Sequence, residues 1–476
     1  MKIQKKSEEP SASSSASPSG GKSSQSLTPA QHVALWTFNA FLVCVIIQAQ
    51  SVIEDAKMPD SIRVVHVYDV TQRNVTKRFS PTVASVTIDW EKPINCSILA
   101  TGNRDEIRRA RHHAIIRRIR GYRDFSKMVR NCTNLIANND YVMSSLSQEE
   151  EDFPIAFAIR MHKNIFQLEQ LLRAIYRPQN VYCIHIDLKS PKFVHKAIQN
   201  LVKCFPNVFI ASKLQYYVYE SDSPVWADLQ CMRDLLNTNV KWKYFLNLPG
   251  QEFPLKTNLE MVRILKFLNG TNDIETFPIP ERFLHRILYK HYVMADSVLL
   301  SNERKQDFQW TNVTLRKGNA YNSFSRPFVE WLLVNEVAND LYNWANDTLS
   351  PDELVWATLN TLPGAPGGYN VSVVQPYHQY VSRFIDWAWA STQCRQRHYV
   401  HQICIFSSAD YQSLLRRSEM FANKFDLSYD SVVVDCLEKE IKERRRRPLP
   451  DKHIDWKWLK KLPHVQARLF NSTSVV

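Results

Sequence analysis

The chain is long, moderately hydrophobic and basic. Its 476 residues are 44% hydrophobic and 11% aromatic, which is enough apolar material for one large domain or two smaller ones. The formal net charge of +13 would suit a nucleic-acid partner, but much of the excess lies in two runs, at 104–123 and 442–447. Such runs are typical of a solvated helix face and a solvated tail, so we expect no nucleic-acid partner.

Residues 1–53 predict a membrane anchor behind a cytoplasmic tail. Residues 1–30 are rich in Ser, Pro and Gly, a composition that buries little apolar area and favours disorder. The stretch 31–53 contains no Asp, Glu, Lys or Arg and is close to the ~20 residues that span a bilayer. Four lysines precede it, which predicts a type II signal anchor with the remaining chain in the lumen. Because the apolar run includes Thr37 and Asn39, a buried core helix is the alternative.

Potential N-glycosylation sites agree with a lumenal location. Asn-x-Ser/Thr sequences are acceptors in surface segments of secretory proteins, and all those in this chain follow the predicted anchor. They begin at Asn74, Asn95, Asn131, Asn269, Asn312, Asn346, Asn370 and Asn471.

The cysteines also agree with an oxidising compartment. Apart from Cys44, which lies in the predicted anchor, their number is even, which is typical of a chain with disulfides. They are Cys96, Cys132, Cys183, Cys204, Cys231, Cys394, Cys404 and Cys436. Because no CxxC spacing occurs, we expect no structural zinc site.

Three regions follow the anchor. Residues 54–150 are mixed and polar, which predicts a stem and N-terminal extension, and residues 441–476 form a basic tail. Between them, in 151–440, short apolar runs alternate with helical periodicity: PIAFAIRMH, VYCIHID, NVFIAS and KYFLNLPG predict strands, and IFQLEQLLRAIY and WADLQCMRDLLN predict helices. This alternation indicates an α/β fold with a mostly parallel sheet.

Ligands of such sheets bind beyond the carboxyl ends of the strands. Arg160 and His162 end the first predicted strand, Asp187 ends the second, and Gln251 and Glu252 follow the fourth. The chain has neither a Walker loop nor a GxGxxG sequence, so P-loop and dinucleotide chemistry are not expected.

A carboxylate is also predicted at the start of an apolar helix in DTLSPDELVWAT. Ser350 suits the N-cap and Pro351 the first helical position, and Asp352 and Glu353 fill the first turn, where the helix dipole favours negative charge. Glu353 is therefore a candidate base. Taken alone, the pattern favours an ordinary capped helix over a catalytic carboxylate.

Four separated motifs resemble the core 2 and I-branching β-1,6-N-acetylglucosaminyltransferases from about residue 152 to 436. They are LLRAIYRPQNVYCIHID, WKYFLNLPGQEFPLKTNLEMVRILK, SPDELVWAT and FANKFD. The resemblance implies a Golgi type II membrane enzyme with a GT-A-like nucleotide-sugar transferase fold, a single lumenal catalytic domain and inverting chemistry without a metal or other cofactor. The Asp-x-Asp sequence that holds a divalent ion in other such enzymes is absent from the chain.

The resemblance implies a donor site for a UDP-sugar. Lys424 and His401 match the positions that contact the diphosphate, although the family's residue at the second position is Arg, and Arg395 or Arg397 could substitute for it. A histidine carries a less certain positive charge near neutral pH than a guanidinium. The uridine and ribose side is matched by Arg160, which replaces an apolar residue, and by His162, Asp187 and Tyr219.

The resemblance also implies an acceptor site and gives Glu353 the role of base. Inverting transfer needs one base to take the proton of the attacking hydroxyl. Acceptor-binding positions fall on Glu275, Arg286, Trp387 and Trp389, whereas a polar acceptor contact is missing around Phe283. The stretch FIDWAWAS, which holds both tryptophans, could equally be a buried aromatic strand. The disulfides implied by the family are Cys96 with Cys436, Cys132 with Cys204, Cys183 with Cys231, and Cys394 with Cys404.

The function expected from this resemblance is transfer of N-acetylglucosamine from a UDP donor to the 6-hydroxyl of a core 1 Gal-GalNAc O-glycan on glycoproteins. Two alternatives stay open, which are the same transfer from UDP-glucose and a non-catalytic lumenal glycan-binding protein on the same fold. A peptide xylosyltransferase of the same superfamily fits the motif spacing less well. The expected location is the Golgi membrane, with the membrane contacted through the anchor, and a homodimer is left open.

Overall fold

The computed structural model describes residues 90–116, 121–369, 380–390 and 394–473. They belong to one compact unit, Ser85–Val476. The predicted tail and anchor lie outside the described residues. Within the described ranges, no helix has both the length and the apolar character needed to cross a membrane.

The strands and helices are numbered in chain order. The strands are β1 (Ile155–Met161), β2 (Val181–Ile186), β3 (Val208–Ile210), β4 (Tyr244–Pro249), β5 (Glu252–Pro254), β6 (Phe277–Pro278), β7 (Tyr289–Met294), β8 (Ser297–Arg304), β9 (Arg316–Lys317), β10 (Ser323–Ser325), β11 (Arg383–Ile385), β12 (Tyr399–Val400), β13 (Ile403–Cys404) and β14 (Phe421–Asn423).

The helices are α1 (Cys96–Ala100), α2 (Arg104–Ile116), α3 (Tyr122–Met128), α4 (Cys132–Asn138), α5 (Gln148–Glu151), α6 (Ile165–Ile175), α7 (Lys192–Val202), α8 (Ser223–Leu236), α9 (Asn258–Leu268), α10 (His285–Leu288), α11 (Arg326–Leu332), α12 (Glu336–Trp344), α13 (Val355–Leu359), α14 (Tyr411–Leu414), α15 (Ser431–Arg446), α16 (Pro450–His453), α17 (Trp456–Leu459) and α18 (Pro463–Thr473). Short 3₁₀ turns span Glu281–Phe283, Ala345–Asp347, Pro351–Glu353 and Ser408–Asp410.

The central sheet has the strand order β10-β4-β1-β2-β3. Strands β1 to β4 run parallel, and β10 adds an antiparallel edge. Helix α6 connects β1 to β2, and α7 connects β2 to β3. The structure therefore confirms the α/β prediction with a mostly parallel sheet.

The sheet is covered on both faces, which explains its nearly continuous apolar strands. Ile155, Phe157 and Ile159 of β1 join a cluster with α6, α7 and α9. The alternate residues Ala156 and Ala158 join a second cluster with α8, α11, α12 and α13. Because successive strand residues point to opposite faces, β1 contributes to both cores.

A smaller sheet, ordered β11-β14-β5, lies beside the carboxyl end of β4. Strands β11 and β14 are parallel, while β5 is antiparallel to β14, with Asn423 opposite Glu252. Residues 250 and 251 are the only link between β4 and β5. The edge where β11 and β14 end is therefore adjacent to the carboxyl edge of the central sheet.

The four disulfides are the same pairs that the resemblance implied. They join Cys96 to Cys436, Cys132 to Cys204, Cys183 to Cys231, and Cys394 to Cys404. The first links α1 to α15 across 340 residues of sequence. The second links α4 to the end of α7, so these N-terminal helices are tied to the domain.

Both ends of the described chain pack more closely than the sequence predicts. Helices α1 to α4, within the predicted stem at 54–150, contribute Leu99 and Phe125 to the cores. At the other end, in the predicted basic tail, Leu459 and Val465 are buried, and His464 Nε2 lies 3.0 Å from Asp273 Oδ1. The tail prediction relied on the charge run at 442–447, whereas the apolar residues after it enter the core.

The described N-glycosylation asparagines are on the surface. Asn95, Asn131, Asn269, Asn312 and Asn346 are all exposed. Two of these asparagines cap helix N-termini through their side chains, Asn95 at α1 and Asn131 at α4. Asn74 and Asn370 lie outside the described residues, as does the side chain of Asn471.

Candidate active site

Glu353 lies on a tight turn and not on a long helix. Ser350 has a left-handed φ of 50°, Pro351–Glu353 form one 3₁₀ turn, and the following helix α13 has only five residues, all of them buried. The Ser350 side chain makes no capping hydrogen bond, which corrects the predicted N-cap. Instead, its backbone N–H donates to Glu220 O at 2.7 Å, so tertiary contacts hold the turn.

Two cations contact the Glu353 carboxylate. Arg286 Nη1 lies 2.6 Å and Lys317 Nζ lies 2.7 Å from the same oxygen, Oε2. Within the described part of the chain, Oε1 accepts no hydrogen bond. Burial raises the pKa of Glu353, but Lys317 and Arg286 outweigh it and leave the pKa below its usual value. Glu353 is therefore ionised at neutral pH, with one oxygen available to a substrate hydroxyl.

Lys317 is a site residue that the sequence analysis missed. It ends β9, a two-residue strand paired with β6, and the next residue, Gly318, donates its N–H to Glu353 O at 2.7 Å. A Cβ on Gly318 would lie 1.8 Å from Glu275 O, so only glycine permits this approach. Gly318 thus packs between the backbone of the predicted acceptor residue Glu275 and the backbone of Glu353. A two-residue strand has no periodicity that a sequence could reveal.

An aromatic wall borders these charges. The Phe283 ring centroid lies 4.6 Å from Arg286 Cζ and 5.1 Å from Lys317 Nζ. Arg282 Cζ lies 4.9 Å from the same ring and 5.7 Å from the ring of Trp389. Phe283, noted above for a missing polar contact, is thus surrounded by three cations, an arrangement favoured by the negative face of its ring.

The predicted tryptophans stand at the end of β11. Trp387 and Trp389 stack with centroids 6.0 Å apart and planes 20° apart, and Trp389 is 52% exposed. Only the preceding residues, Arg383–Ile385, form the buried strand, so FIDWAWAS is a buried strand followed by surface aromatics. An exposed, ordered indole face can stack on the apolar face of a sugar ring.

Basic side chains lie close to one another on the other side of the site. Lys424 follows β14, and burial together with Lys163 lowers its pKa to about 8. Burial also lowers the pKa of His401, with further lowering by Lys424 and Lys163. Burial and Lys163 lower the pKa of His162 as well, although Asp187 raises it. These four basic groups repel one another, which is the arrangement expected of an anion-binding site.

His401 is held at the tip of a tight hairpin. Strands β12 and β13 pair with Val400 opposite Ile403, and both loop residues, His401 and Gln402, have positive φ, as a two-residue type I′ turn requires. The His401 ring lies 4.1 Å from the ring of Tyr219. The structure therefore brings together these two predicted donor residues, which are 182 positions apart in the sequence.

Asp187 is buried beside this cluster. Its Oδ1 accepts hydrogen bonds from the backbone N–H groups of Lys189 and Tyr217, both at 3.1 Å. Lys189 Nζ lies 3.9 Å from Oδ2. Asp187 therefore orders the loop that leads to Tyr219, and its predicted contact with the donor stays a prediction.

Arg160 lies deeper than the other predicted donor residues. Only 5% of its surface is exposed; its Nε lies 3.6 Å from Asp228 Oδ1, and its Nη1 donates to Pro224 O. Its guanidinium also packs 5.0 Å from the ring of Tyr321. In this structure Arg160 acts within a buried charge pair, a role that its position at a strand end did not indicate.

The structure offers no obvious place for a metal in this region. Within the residues it describes, there is no group of three His, Cys, Asp or Glu side chains able to hold one.

A cleft of about 430 Å³ lies elsewhere, between α2, α6 and the start of α15, and is lined by Arg111, Phe166 and Tyr429 among others. None of the residues around Glu353 lines that cleft.

Residues 155–415 match the family model described as "Core-2/I-Branching enzyme". The chain is 37% identical over 371 residues to the human protein named "Beta-1,3-galactosyl-O-glycosyl-glycoprotein beta-1,6-N-acetylglucosaminyltransferase", covering 74% of this chain and 85% of that one.

Two further relatives carry numbered versions of that name. The human relative with the number 3 is 37% identical over 373 residues, covering 74% of this chain and 83% of its own length. The mouse relative with the number 4 is 39% identical over 334 residues, covering 68% of this chain and 73% of its own.

Proposed function

The chain belongs to the Core-2/I-branching enzyme family, as its motifs predicted, and on this premise we propose that it transfers N-acetylglucosamine from a UDP donor to the 6-hydroxyl of a core 1 Gal-GalNAc O-glycan. It is a glycosyltransferase. The donor sugar, the acceptor and the inverting, metal-independent course are the proposed part. A GT-A-like fold with the anchor in the Golgi membrane and the catalytic domain in the lumen belongs to the same proposal.

The ionised Glu353 carboxylate is the observation that carries this proposal. A base that must take a hydroxyl proton has to be ionised and must present a free oxygen to the substrate. Arg286 and Lys317 keep the carboxylate ionised and occupy only Oε2. The acceptor hydroxyl would therefore donate to Oε1, close to the aromatic wall of Phe283 and Trp389.

The proposed reaction is a single displacement at the anomeric carbon of the donor. The 6-hydroxyl oxygen forms the new bond to that carbon while the bond to the diphosphate breaks. The proton passes to Glu353, and the leaving UDP keeps the electron pair. Attack from the side opposite the diphosphate inverts the anomeric centre.

The four basic groups would take the role that a divalent cation has in related chemistry. Lys163 lowers the pKa values of Lys424, His162 and His401. Asp426 and Asp187 offset part of this effect at Lys424 and His162, and a bound diphosphate would reduce the remaining repulsion among the basic groups. Preorganised positive groups stabilise charge that develops on a leaving group in the transition state. No metal is needed in this scheme.

His401 is the reason to keep UDP-glucose as a second candidate donor. Its pKa is lowered by burial and by Lys424 and Lys163, so the imidazole is mainly neutral near pH 7. A neutral group where the family has a guanidinium weakens one contact to the diphosphate. The binding energy of the UDP-sugar would then depend more on contacts to its sugar, and the sugar is the part in which UDP-GlcNAc and UDP-glucose differ.

A donor comparison tests the proposal. The purified protein is given Gal-GalNAc on an aryl aglycone, with EDTA present, and either UDP-GlcNAc or UDP-glucose, and the linkage of the product is determined. A 1,6-linked GlcNAc product is expected. Transfer from UDP-glucose alone would show that UDP-glucose, and not UDP-GlcNAc, is the donor. Loss of activity in EDTA, with recovery on addition of a divalent ion, would contradict the metal-independent reaction. Acceptor binding without transfer from either donor would favour a glycan-binding protein.

A further inference from the structure

A two-stranded hairpin extends from the acceptor side of the site. Strand β7 begins directly after α10, the helix that carries Arg286, and returns as β8 with Tyr292 opposite Leu299 and Val293 opposite Val298. Among the described residues, neither strand pairs with a third strand. The outer edges of the hairpin therefore present unpaired backbone N–H and C=O groups.

The hairpin exposes an unusual amount of apolar surface. Met294 is 64% exposed and Leu300 is 57% exposed. Exposed large apolar side chains occur on both strands: Tyr289, Tyr292, Val293, Met294, Leu299 and Leu300. Tyr292 and its cross-strand partner Leu299 share one face of the hairpin, and Val293 lies on the opposite face. Exposed apolar side chains grouped in this way are typical of interaction sites.

The hairpin is held in place at both ends. At its base, the Lys305 N–H donates to Leu288 O at 2.9 Å. At its tip, Asp296 Oδ1 lies 2.7 Å from Lys189 Nζ and accepts from the Tyr216 hydroxyl at 3.1 Å. The tip thus contacts the same loop that Asp187 orders, so the hairpin joins the acceptor side of the site to the donor side.

These contacts also neutralise charge on the hairpin. Asp296 pairs with Lys189, and Glu303 accepts hydrogen bonds from Lys290 and Tyr292. What the middle of the hairpin offers a partner is therefore mainly apolar side chains and strand edges. Such a surface suits an extended polypeptide with little charge better than an anionic or strongly basic partner.

The chemistry of the proposed acceptor requires a polypeptide close to Glu353, and the base of the hairpin lies next to Arg286, the partner of Glu353. The 6-hydroxyl belongs to the GalNAc residue, whose anomeric carbon is bonded to a Ser or Thr side chain of the glycoprotein. The polypeptide therefore passes within one sugar ring of Glu353 and of its partner Arg286. Strand β7 has six residues. Because a strand advances roughly 3.3 Å per residue, β7 can lie alongside about six residues of an extended peptide.

We propose that the β7–β8 hairpin binds the polypeptide that carries the acceptor glycan, as an extended Ser/Thr/Pro-rich segment lying along its apolar side chains and strand edge. This inference rests on the proposed function, because it takes the position of the polypeptide from the attacked GalNAc. The hairpin then distinguishes a glycan on a protein from the same glycan free in solution.

The test compares one disaccharide on two carriers. Gal-GalNAc is presented on an aryl aglycone and on the Thr of a Ser/Thr/Pro-rich peptide, and kcat/KM and the affinity of the UDP-loaded protein are measured for each. The hairpin variant is Tyr292→Ser with Leu299→Ser, a cross-strand pair on one face. The control is Val334→Ser, which removes a side chain that is 79% exposed between α11 and α12.

The wild type is expected to prefer the glycopeptide by about tenfold in kcat/KM, the scale of a modest apolar contact. The hairpin variant should lose that preference while its rate on the aryl glycoside is unchanged, and the control should keep both values. Equal losses on both carriers, or no glycopeptide preference in the wild type, would overturn the proposal.

Two other outcomes are separable. If the wild type transfers to neither carrier, the proposed function fails; the hairpin proposal then stands or falls on whether the glycopeptide binds more tightly than the aryl glycoside. If the hairpin variant changes the protein from dimer to monomer and leaves the glycopeptide preference intact, the surface contacts a second copy of the chain, and the peptide proposal is overturned.

Discussion

The two sides of the candidate site treat charge in opposite ways. On the acceptor side, Glu353 is neutralised by Arg286 and Lys317 at 2.6 and 2.7 Å. On the donor side, burial and nearby cations lower the pKa values of Lys424, His401 and His162, and Lys163 is among those cations in each case. The Glu353 carboxylate has cationic partners within the protein, whereas the donor-side groups lie beside further cations. The comparison teaches that the proposed base is balanced by charges of the protein, whereas the proposed diphosphate site would be balanced by its ligand.

The largest effect is expected from removing the charge on the acceptor side. Glu353→Gln should lower kcat by about 10³ because the acceptor hydroxyl loses its base, while the dissociation constant for UDP stays the same. Turnover measured beside UDP binding checks this. The matched control is Glu336→Gln, an exposed carboxylate at the start of α12, which should leave both values unchanged. Full turnover in Glu353→Gln would eliminate it as the base.

A smaller effect is expected from removing a charge on the donor side. Lys424→Met should lower kcat/KM for the donor by about 10² because one group that stabilises the leaving diphosphate is lost. In the wild type, UDP affinity should fall as pH rises through about 8, since burial and Lys163 place the pKa of Lys424 there and only the protonated form attracts the diphosphate. Calorimetry across this range checks both points, with exposed Lys241→Met as control. UDP affinity independent of pH would contradict the assignment.

The contribution of Lys317 should appear in the pH profile. Lys317 is one of the two cations that lower the pKa of Glu353, so Lys317→Met should raise that pKa. The acid limb of kcat/KM then moves to higher pH, and the rate falls by about tenfold at an acidic pH where the wild type is still active. A uniform loss at every pH would mean that Lys317 serves only the packing of β9.

The smallest effect is expected from a substitution that adds a permanent charge on the donor side. His401→Arg should strengthen UDP binding near neutral pH by about fivefold, because a permanent charge replaces an imidazole whose pKa is lowered. The dependence of UDP affinity on pH in the acidic range should weaken at the same time. Since His401 sits at positive φ, a melting curve must show that the hairpin turn tolerates the substitution. Unchanged UDP affinity in a stable variant would place His401 outside the diphosphate contact.

The sequence predicted the central sheet well and the smaller sheets poorly. Strands β1, β2 and β4 have six or seven residues, and the intervening helix α6 shows helical periodicity, so their apolar patterns are visible locally. Strands β6, β9, β12 and β13 have two residues each. These strands form because a partner strand lies nearby in the fold. A two-residue segment has no periodicity from which the sequence could predict that pairing.

The same distinction holds within the site. Glu353 and Lys424 stood out because they lie in motifs that resemble the family, and Trp387 and Trp389 because they match acceptor-binding positions of that family. Lys317 had no such signal, since it meets Glu353 only through the pairing of β9 with β6 and the close approach of Gly318. Arg160 was predicted to contact the donor because it lies at a strand end and matches a family position. In the structure its side chain instead pairs with Asp228.

The sequence by itself determined the α/β fold class through local periodicity and the family through its four motifs. The resemblance to that family also indicated Glu353 as the base and the donor and acceptor residues, and these assignments stay predictions. The sequence further predicted that the N-glycosylation asparagines lie in surface segments, and those that the structure describes are exposed. Only the tertiary structure decided which oxygen of Glu353 is engaged, that Lys317 shares it with Arg286, that the C-terminal helices enter the core, and that an apolar hairpin stands beside the acceptor side. These features depend on contacts between residues far apart in the chain. The free energy of such a contact depends on the distance between the two groups and on how deeply they are buried, and the local sequence specifies neither.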